Sequence, residues 1–317
     1  MPQKVNPQQG ITDQARIIRK ASSEDITSKL GKMLSLSYNI NESSEREADV
    51  NSGASYRSNT DTLVTVDGSV SFRVSAFDIF RLQGTYVDNG DGTWDVILDD
   101  SLPLFRIKAQ VQETSDDRLL DIYAVKFGRG EINVDKNGFM TATFDYQAVL
   151  DDSGNPLYEF QDDTTITDPG VEGYSKRGFD TEFTIEGTAV GSGQSFTFIY
   201  NRDLDADKGI EPNDGRQRRA PTQLIEQLKD FQVQGDVDIT DFQVFKEVLD
   251  DDTFPLTSQD RRTEKTVGLG LAQNTSGSIE WSGAKLNPLG GELANDADKR
   301  QVNVEGNATG ATITGST

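Results

Sequence analysis

The sequence predicts a mainly β (α+β) fold built as two tandem β-sandwich or barrel domains, each with a short flanking helix. The first observation is a repeated order of events. In Asp67–Arg81 (DGSVSFRVSAFDIFR) Val70, Phe72 and Val74 alternate with Ser71, Arg73 and Ser75 at the period of a half-buried strand. Phe77 and Phe80 then shift the spacing to three, as on a helix. Gln234–Lys246 (QGDVDITDFQVFK) does the same with Val237 and Ile239, then Phe242 and Phe245, 167 residues on for the strand and 165 for the helix. The second observation is that the flanks agree. Asp121–Phe127 and Phe139–Ala148 follow the first copy as alternating strands, and Ser278–Leu286 and Gln301–Ala308 follow the second. The third is composition: only 34% of the 317 residues are hydrophobic, yet 16 Phe, 8 Tyr and 2 Trp sit in alternating runs that can form ordered β cores.

Taken in order, residues 1–31 read as an N-terminal arm. Ile11, Ala15, Ile17 and Ile18 stand near helical spacing behind Thr12 or Asp13, which suits a short helix or an arm docked on a neighbour. Residues 32–150 form the first β domain. Met33–Ile40 reads as a strand of imperfect polarity, Glu45–Thr60 as a long exposed loop or hairpin excursion, and Leu63–Val74 as the returning strand. Thr85–Val87 and Thr93–Leu98 flank Asp88-Asn89-Gly90-Asp91-Gly92 as a hairpin, and Leu104–Val111 is a further strand. Residues 151–178 are rich in Asp, Asn, Pro and Gly and read as a linker. The second β domain, 179–317, opens with the hairpin Phe179–Val190 and Ser195–Tyr200, continues through the polar loop Asn201–Ala220, and offers Pro221–Leu228 as an amphipathic helix with Pro at its start.

The net charge is -22 from 53 acids and 31 bases, and 36 of the acids are Asp, which favours loops and surface. A surface so acidic repels itself at low ionic strength, and the penalty fades at molar salt where the Debye length is about 3 Å. A halophilic source or an ordinary acidic surface fits. No histidine or cysteine is present, which removes His-based triads, thiol nucleophiles, imidazole and thiolate metal ligands and disulfides. No catalytic residue and no cofactor is expected. The first ten residues lack an apolar core and no run approaches 18 apolar residues, so neither a signal peptide nor a membrane span is expected.

Asp203, Asp205 and Asp207 resemble the start of a calcium loop, but Lys208 stands where that loop needs Gly and Asp214 where it needs Glu, so a solvated acidic loop is the other reading. Carboxylate pairs such as Asp99-Asp100, Asp116-Asp117 and Asp151-Asp152 arise from composition as readily as from a glycosidase design. Arg216, Arg218 and Arg219 form the densest basic cluster, either a solvated loop or a contact with an acidic face of another subunit.

The order of strand, long polar excursion, strand, short Phe-bearing helix and a closing antiparallel pair such as Leu119–Ala148 resembles the tail tube proteins of tailed viruses. That resemblance implies subunits that join their sheets into rings, rings that stack into a tube, and transient passage of double-stranded DNA without specific binding. With two tube-like domains per chain it implies a homotrimeric, pseudo-hexameric ring, other virion tail proteins as partners, synthesis in the host cytoplasm and location in the virion. The composition adds the expectation of a haloarchaeal virus. A secreted or surface β-sandwich binding module, an adhesin or carbohydrate binder, is the alternative.

Overall fold

The computed structural model describes residues 15–47, 58–98, 101–112, 117–151, 153–162, 166–189, 192–207, 220–239, 264–271, 277–292 and 300–316. Among the described residues strands make up 66% and helical turns 6%, so the mainly β expectation holds. The first half contributes β1 (Ala15–Arg19), β2 (Glu24–Asp25), β3 (Lys32–Glu47), β4 (Ser58–Arg73), β5 (Thr85–Asp88), β6 (Thr93–Ile97), β7 (Phe105–Gln112), β8 (Asp117–Asp135), β9 (Thr141–Ala148) and β10 (Tyr158–Asp162). The second contributes β11 (Thr181–Ile185), β12 (Thr188–Ala189), β13 (Ser192–Asn201), β14 (Leu204–Asp207), β15 (Gln223–Glu226), β16 (Asp230–Ile239), β17 (Lys265–Leu271), β18 (Gly277–Glu292), β19 (Arg300–Ala308) and β20 (Gly310–Ser316).

Every ladder among the described residues is antiparallel, and the pairing has one plan used twice. β3-β4-β9-β8 in the first half matches β13-β16-β19-β18 in the second. Likewise β1-β7-β8-β10 matches β11-β17-β18-β20. The repeated strands β4 and β16 hold the same place, with Val70 and Val237 each flanked by the corresponding neighbours. Even the bulges agree: β8 slips between Phe127 and Arg129 against β9, and β18 between Pro288 and Gly290 against β19. β1 occupies the position in its half that β11 occupies in the other, so the described part of the arm opens with a sheet strand.

The halves meet at β8 and β13, where Arg129–Asp135 pair with Ser195–Asn201. Eight strands thus run as one sheet, β3-β4-β9-β8-β13-β16-β19-β18. On its inner face the row Val70, Phe144, Gly130, Tyr200, Phe231, Ala308 is apolar apart from the Tyr hydroxyl. Gly130 is required there, because a Cβ would stand 2.5 Å from the Phe144 ring. The long strand β18 leaves this sheet at Gly283, whose φ of +67 bends it, and its first half joins a second sheet, β5-β6-β20-β18-β17-β11-β12. A side chain at Gly283 would meet Thr309 Oγ1 at 2.2 Å, so bend and glycine belong together.

Between the two sheets lies one contiguous core. Trp281 of β18 is its hub, with ring centroids 6.0 Å from Phe80, 5.7 Å from Phe198 and 5.4 Å from Phe231 in edge-on geometry. Phe77 and Phe80 are fully buried on the 3-10 turn Phe77–Leu82. Phe80 touches Phe144 of its own half and Trp281 of the other, so the turn packs across the halves. Phe242 and Phe245 lie outside the described residues.

Three local expectations change, and one pair of alternatives is decided. Residues 15–19 form a strand, because the β7 ladder satisfies their backbone and buries Ala15 and Ile17. Pro221–Leu228 yields β15, paired with β14, in place of a helix. Glu45–Thr60 resolves toward the hairpin reading, since β3 runs to Glu47 and β4 starts at Ser58. The linker 151–178 contains β10, paired with β8. The imperfect polarity of Met33–Ile40 also finds its cause: Leu34 sits in a bulge between Met33 and Ser35 and is 38% exposed.

Because the core is shared, Trp281→Ala and Phe80→Ala should each cost about 3–5 kcal/mol and leave a single unfolding transition in calorimetry. Two separable transitions, with only one moved by Trp281→Ala, would contradict the shared core.

Candidate interaction surface

The eight-stranded sheet ends in two open edges. At one end β3 pairs only with β4 among the described residues, and its 16 residues contain no proline. At the other, the second half of β18 (285–292) pairs only with β19 among the described residues. Pro288 lies in this strand at the sheet's edge, where proline is most readily accommodated. An uncovered edge presents a row of unpaired N–H and C=O groups, the usual template for pairing with another chain. β4 pairs with β9 only over Asp67–Arg73, so the β3–β4 ladder from Ile40–Val66 to Glu47–Ser58 projects past the sheet as a two-stranded hairpin.

The other face of this sheet is mostly polar, with Ile199 its buried apolar member. One row across it reads Ser35, Ser71, Thr143, Glu131, Ile199, Gln232, Asn307, Lys285. Hydroxyl pairs Ser35–Ser71 and Ser37–Ser69 lace β3 to β4. Arg129 donates to Glu131 at 2.7 Å, and burial pushes the pKa of neighbouring Asp145 up against the pull of Arg129. A cleft of about 520 Å³ opens on this face between Asp145, Arg129, Asn201 and Asp203.

Next to the cleft the β14–β15 ribbon rests on a small second core of Leu224 with Ala124 and Val149, joined by Leu204 and Ala206. Glu226 pins it: Lys126 Nζ, Ser101 Oγ and the Leu102 amide donate to its carboxylate and Arg202 lies 3.2 Å away. Burial alone would raise the Glu226 pKa, but these partners outweigh it and hold it below the usual range. A second polar network lies across β7, β8 and β10. Asp121 is fully buried and takes a two-pronged bond from Arg106, which stacks 4.7 Å over Tyr123, whose hydroxyl donates to Glu159 at 2.7 Å.

Asp205 and Asp207 lie exposed on β14, an extended strand that spreads carboxylates along its length, whereas a calcium loop curls them round a point. Asp203 precedes it and accepts from Asn201 at 2.9 Å. Among the described residues no three acidic side chains gather as a metal site. Asp151 is occupied by Lys20 and Asn155. Arg216, Arg218 and Arg219 lie outside the described residues. The open edges were not legible from the residues alone, because edge or centre is decided by which strands pair, and only the strand pattern is local.

No known family model matches the chain, and no curated protein does.

Asp78, on the 3-10 turn Phe77–Leu82, gives the fold a pH signature. It lies 3.6 Å from Arg81, their side chains 15% and 6% exposed, and its Oδ1 has no hydrogen-bond partner among the described residues. Burial pushes its pKa up to about 6, against the pull of Arg81 and Lys29, from an ordinary 3.8. The folded state therefore holds this proton more tightly than the unfolded chain, and stability falls as pH rises from about 4 to about 6. The gap of about two units corresponds to about 3 kcal/mol. Asp78→Asn should flatten that fall in thermal melts taken between pH 4 and 8, and melting profiles that stay parallel across the range would contradict the assignment.

Proposed function

We propose that this chain is a structural protein that polymerises edge to edge into rings stacked as a tube, the tail tube role its sequence resembles. One observation carries the reading: the chain joins its own two halves at β8 and β13, and the same plan leaves matching partners, β18 and β3, open at the ends. β3 corresponds to β13 and β18 to β8. Applying the internal joint once more sets β18 of one copy beside β3 of the next, antiparallel, and a cyclic repeat of that step closes a ring. Three chains with two units each would supply six equivalent positions.

The register follows from the equivalences. Glu131 pairs with Ile199 inside the chain, Glu131 corresponds to Glu292, and Ile199 corresponds to Asn41. Glu292 of one copy therefore faces Asn41 of the next, and Gly291 faces Glu42.

In such a ring the uncovered polar face lines the bore. Asp67, Glu131, Asp145, Asp236 and Glu305 put carboxylates there beside hydroxyls and amides, and Arg129 is tied to Glu131. A surface of this kind gives phosphate little to hold, because each neutralised phosphate would add a salt-dependent grip. Passage of double-stranded DNA would then be driven from behind it. The acid surplus of the whole chain supports a salt-rich setting, such as a virus of haloarchaea, with other tail proteins capping the tube.

The chain contains no cysteine, so an engineered pair reports on its own. Asn41→Cys combined with Glu292→Cys should yield disulfide-linked multimers on non-reducing gels, since Cα atoms opposed in an antiparallel ladder lie about 4.5–5.5 Å apart. Each single variant should stay unlinked. Assembled protein that gives no linkage with the pair would overturn the joint.

A further inference from the structure

In a chain of net charge -22, one end of the large sheet is basic and aromatic. Where β4 ends and β9 begins, the Arg73 guanidinium lies 4.3 Å from the Phe139 ring centroid and that of Arg177 4.8 Å from the same ring. Arg177 also lies 5.8 Å from the ring of Phe179. The strap that carries Arg177 is fixed by backbone bonds: Lys176 N donates to Val74 O, Met140 N to Lys176 O, and Gly178 N to Gly138 O. Phe139 is 36% exposed and Phe179 64%, so apolar ring and cation are presented together. Lys32 faces Arg73 across the β3–β4 ladder, and the carboxylate of Asp135 is turned into its own turn, accepting from the Asn137 and Gly138 amides. Among the described residues Arg73 and Lys32 make no ion pair.

Arginines already held over aromatic rings lose little freedom on binding, and exposed rings regain burial when covered, which is how interface anchors are built. The ligand that fits is a carboxylate-bearing segment. The same ladder supplies one at its far end. It starts at the pair Lys32–Arg73 and finishes at Glu47–Ser58, and the sequence from 42 to 61 holds Glu42, Glu45, Glu47, Asp49 and Asp61 against Arg46 and Arg57, an excess of three acids. Eight residues separate Asn39, at the last row shared with β9, from Glu47, a reach of roughly 25 Å at about 3.3 Å per residue. Opposite charge at opposite ends of one ladder makes a head-to-tail contact, which is open-ended along its axis.

We propose that Arg73, Arg177, Phe139 and Phe179 form a docking site for the acidic end of the projecting hairpin of a second copy. This rests on the assembly reading above and concerns the contact along the axis, whereas the β18–β3 joint is lateral. The full chain carrying Arg73→Glu and Arg177→Glu should associate at least about tenfold more weakly in sedimentation velocity, as should the chain carrying Glu45→Lys and Glu47→Lys. Mixing the two reversed proteins should restore association. If Arg73→Glu fails to fold, Arg177→Glu with Phe179→Ser tests the same site from the strap.

The Asn41→Cys, Glu292→Cys linkage, added to each variant, separates the two ideas. Linkage that persists while long assemblies are untouched by the charge reversals would overturn the docking site and leave the lateral joint standing. Loss of linkage in the parent protein would overturn the assembly reading itself. Failure of the reversed proteins to rescue one another, or retention of a duplex oligonucleotide by the parent that the Arg variants abolish, would overturn the hairpin as occupant.

Discussion

A strand edge carries a row of backbone donors and acceptors that must be paired or left to water, and the β8–β13 ladder meets that demand for two edges at once. Everything else in the large sheet depends on it. Without that ladder each half would be a four-stranded sheet with two unpaired edges. With it, the rows of inward side chains continue from Val70 to Ala308, and the demand for partners is moved outward to β3 and β18. The proposed joint between copies would satisfy those outer edges as a copy of the inner one.

The two halves are not beads on a string. β18 belongs to both sheets, bent at Gly283, and its Trp281 binds Phe80 of one half to Phe198 and Phe231 of the other. The β5–β6 hairpin of the first half completes the second sheet through β20. A duplicated pairing plan has been welded into one core, and bending or twisting of a half relative to its twin would have to break aromatic contacts worth about 0.5–1.5 kcal/mol each beyond their buried area. Such a body is stiff, which suits a component that must repeat in register.

Much of this was legible in the residues. Alternation in Val70–Val74 and Val237–Ile239 marked the strands that now sit at equivalent places, and the flanking runs marked β8, β9, β18 and β19. Where the pattern was short, tertiary pairing decided. ARIIR satisfies a helical and a strand period alike, and the β7 ladder selects the strand. QLIE in β15 is too brief to show any period, and its form is set by β14 and by the partners of Glu226. The cation and ring stack of Arg73, Phe139 and Arg177 joins residues 104 positions apart, which no local window can reveal.

The most direct test of the central claim is an electron-microscopic reconstruction of the purified full chain in concentrated salt. The account predicts rings in which the sheet runs unbroken across each chain boundary, with the second half of β18 beside β3 of the neighbour in the spacing seen between β8 and β13. A population of single chains at high concentration, or assemblies whose boundaries leave both edges uncovered, would contradict it.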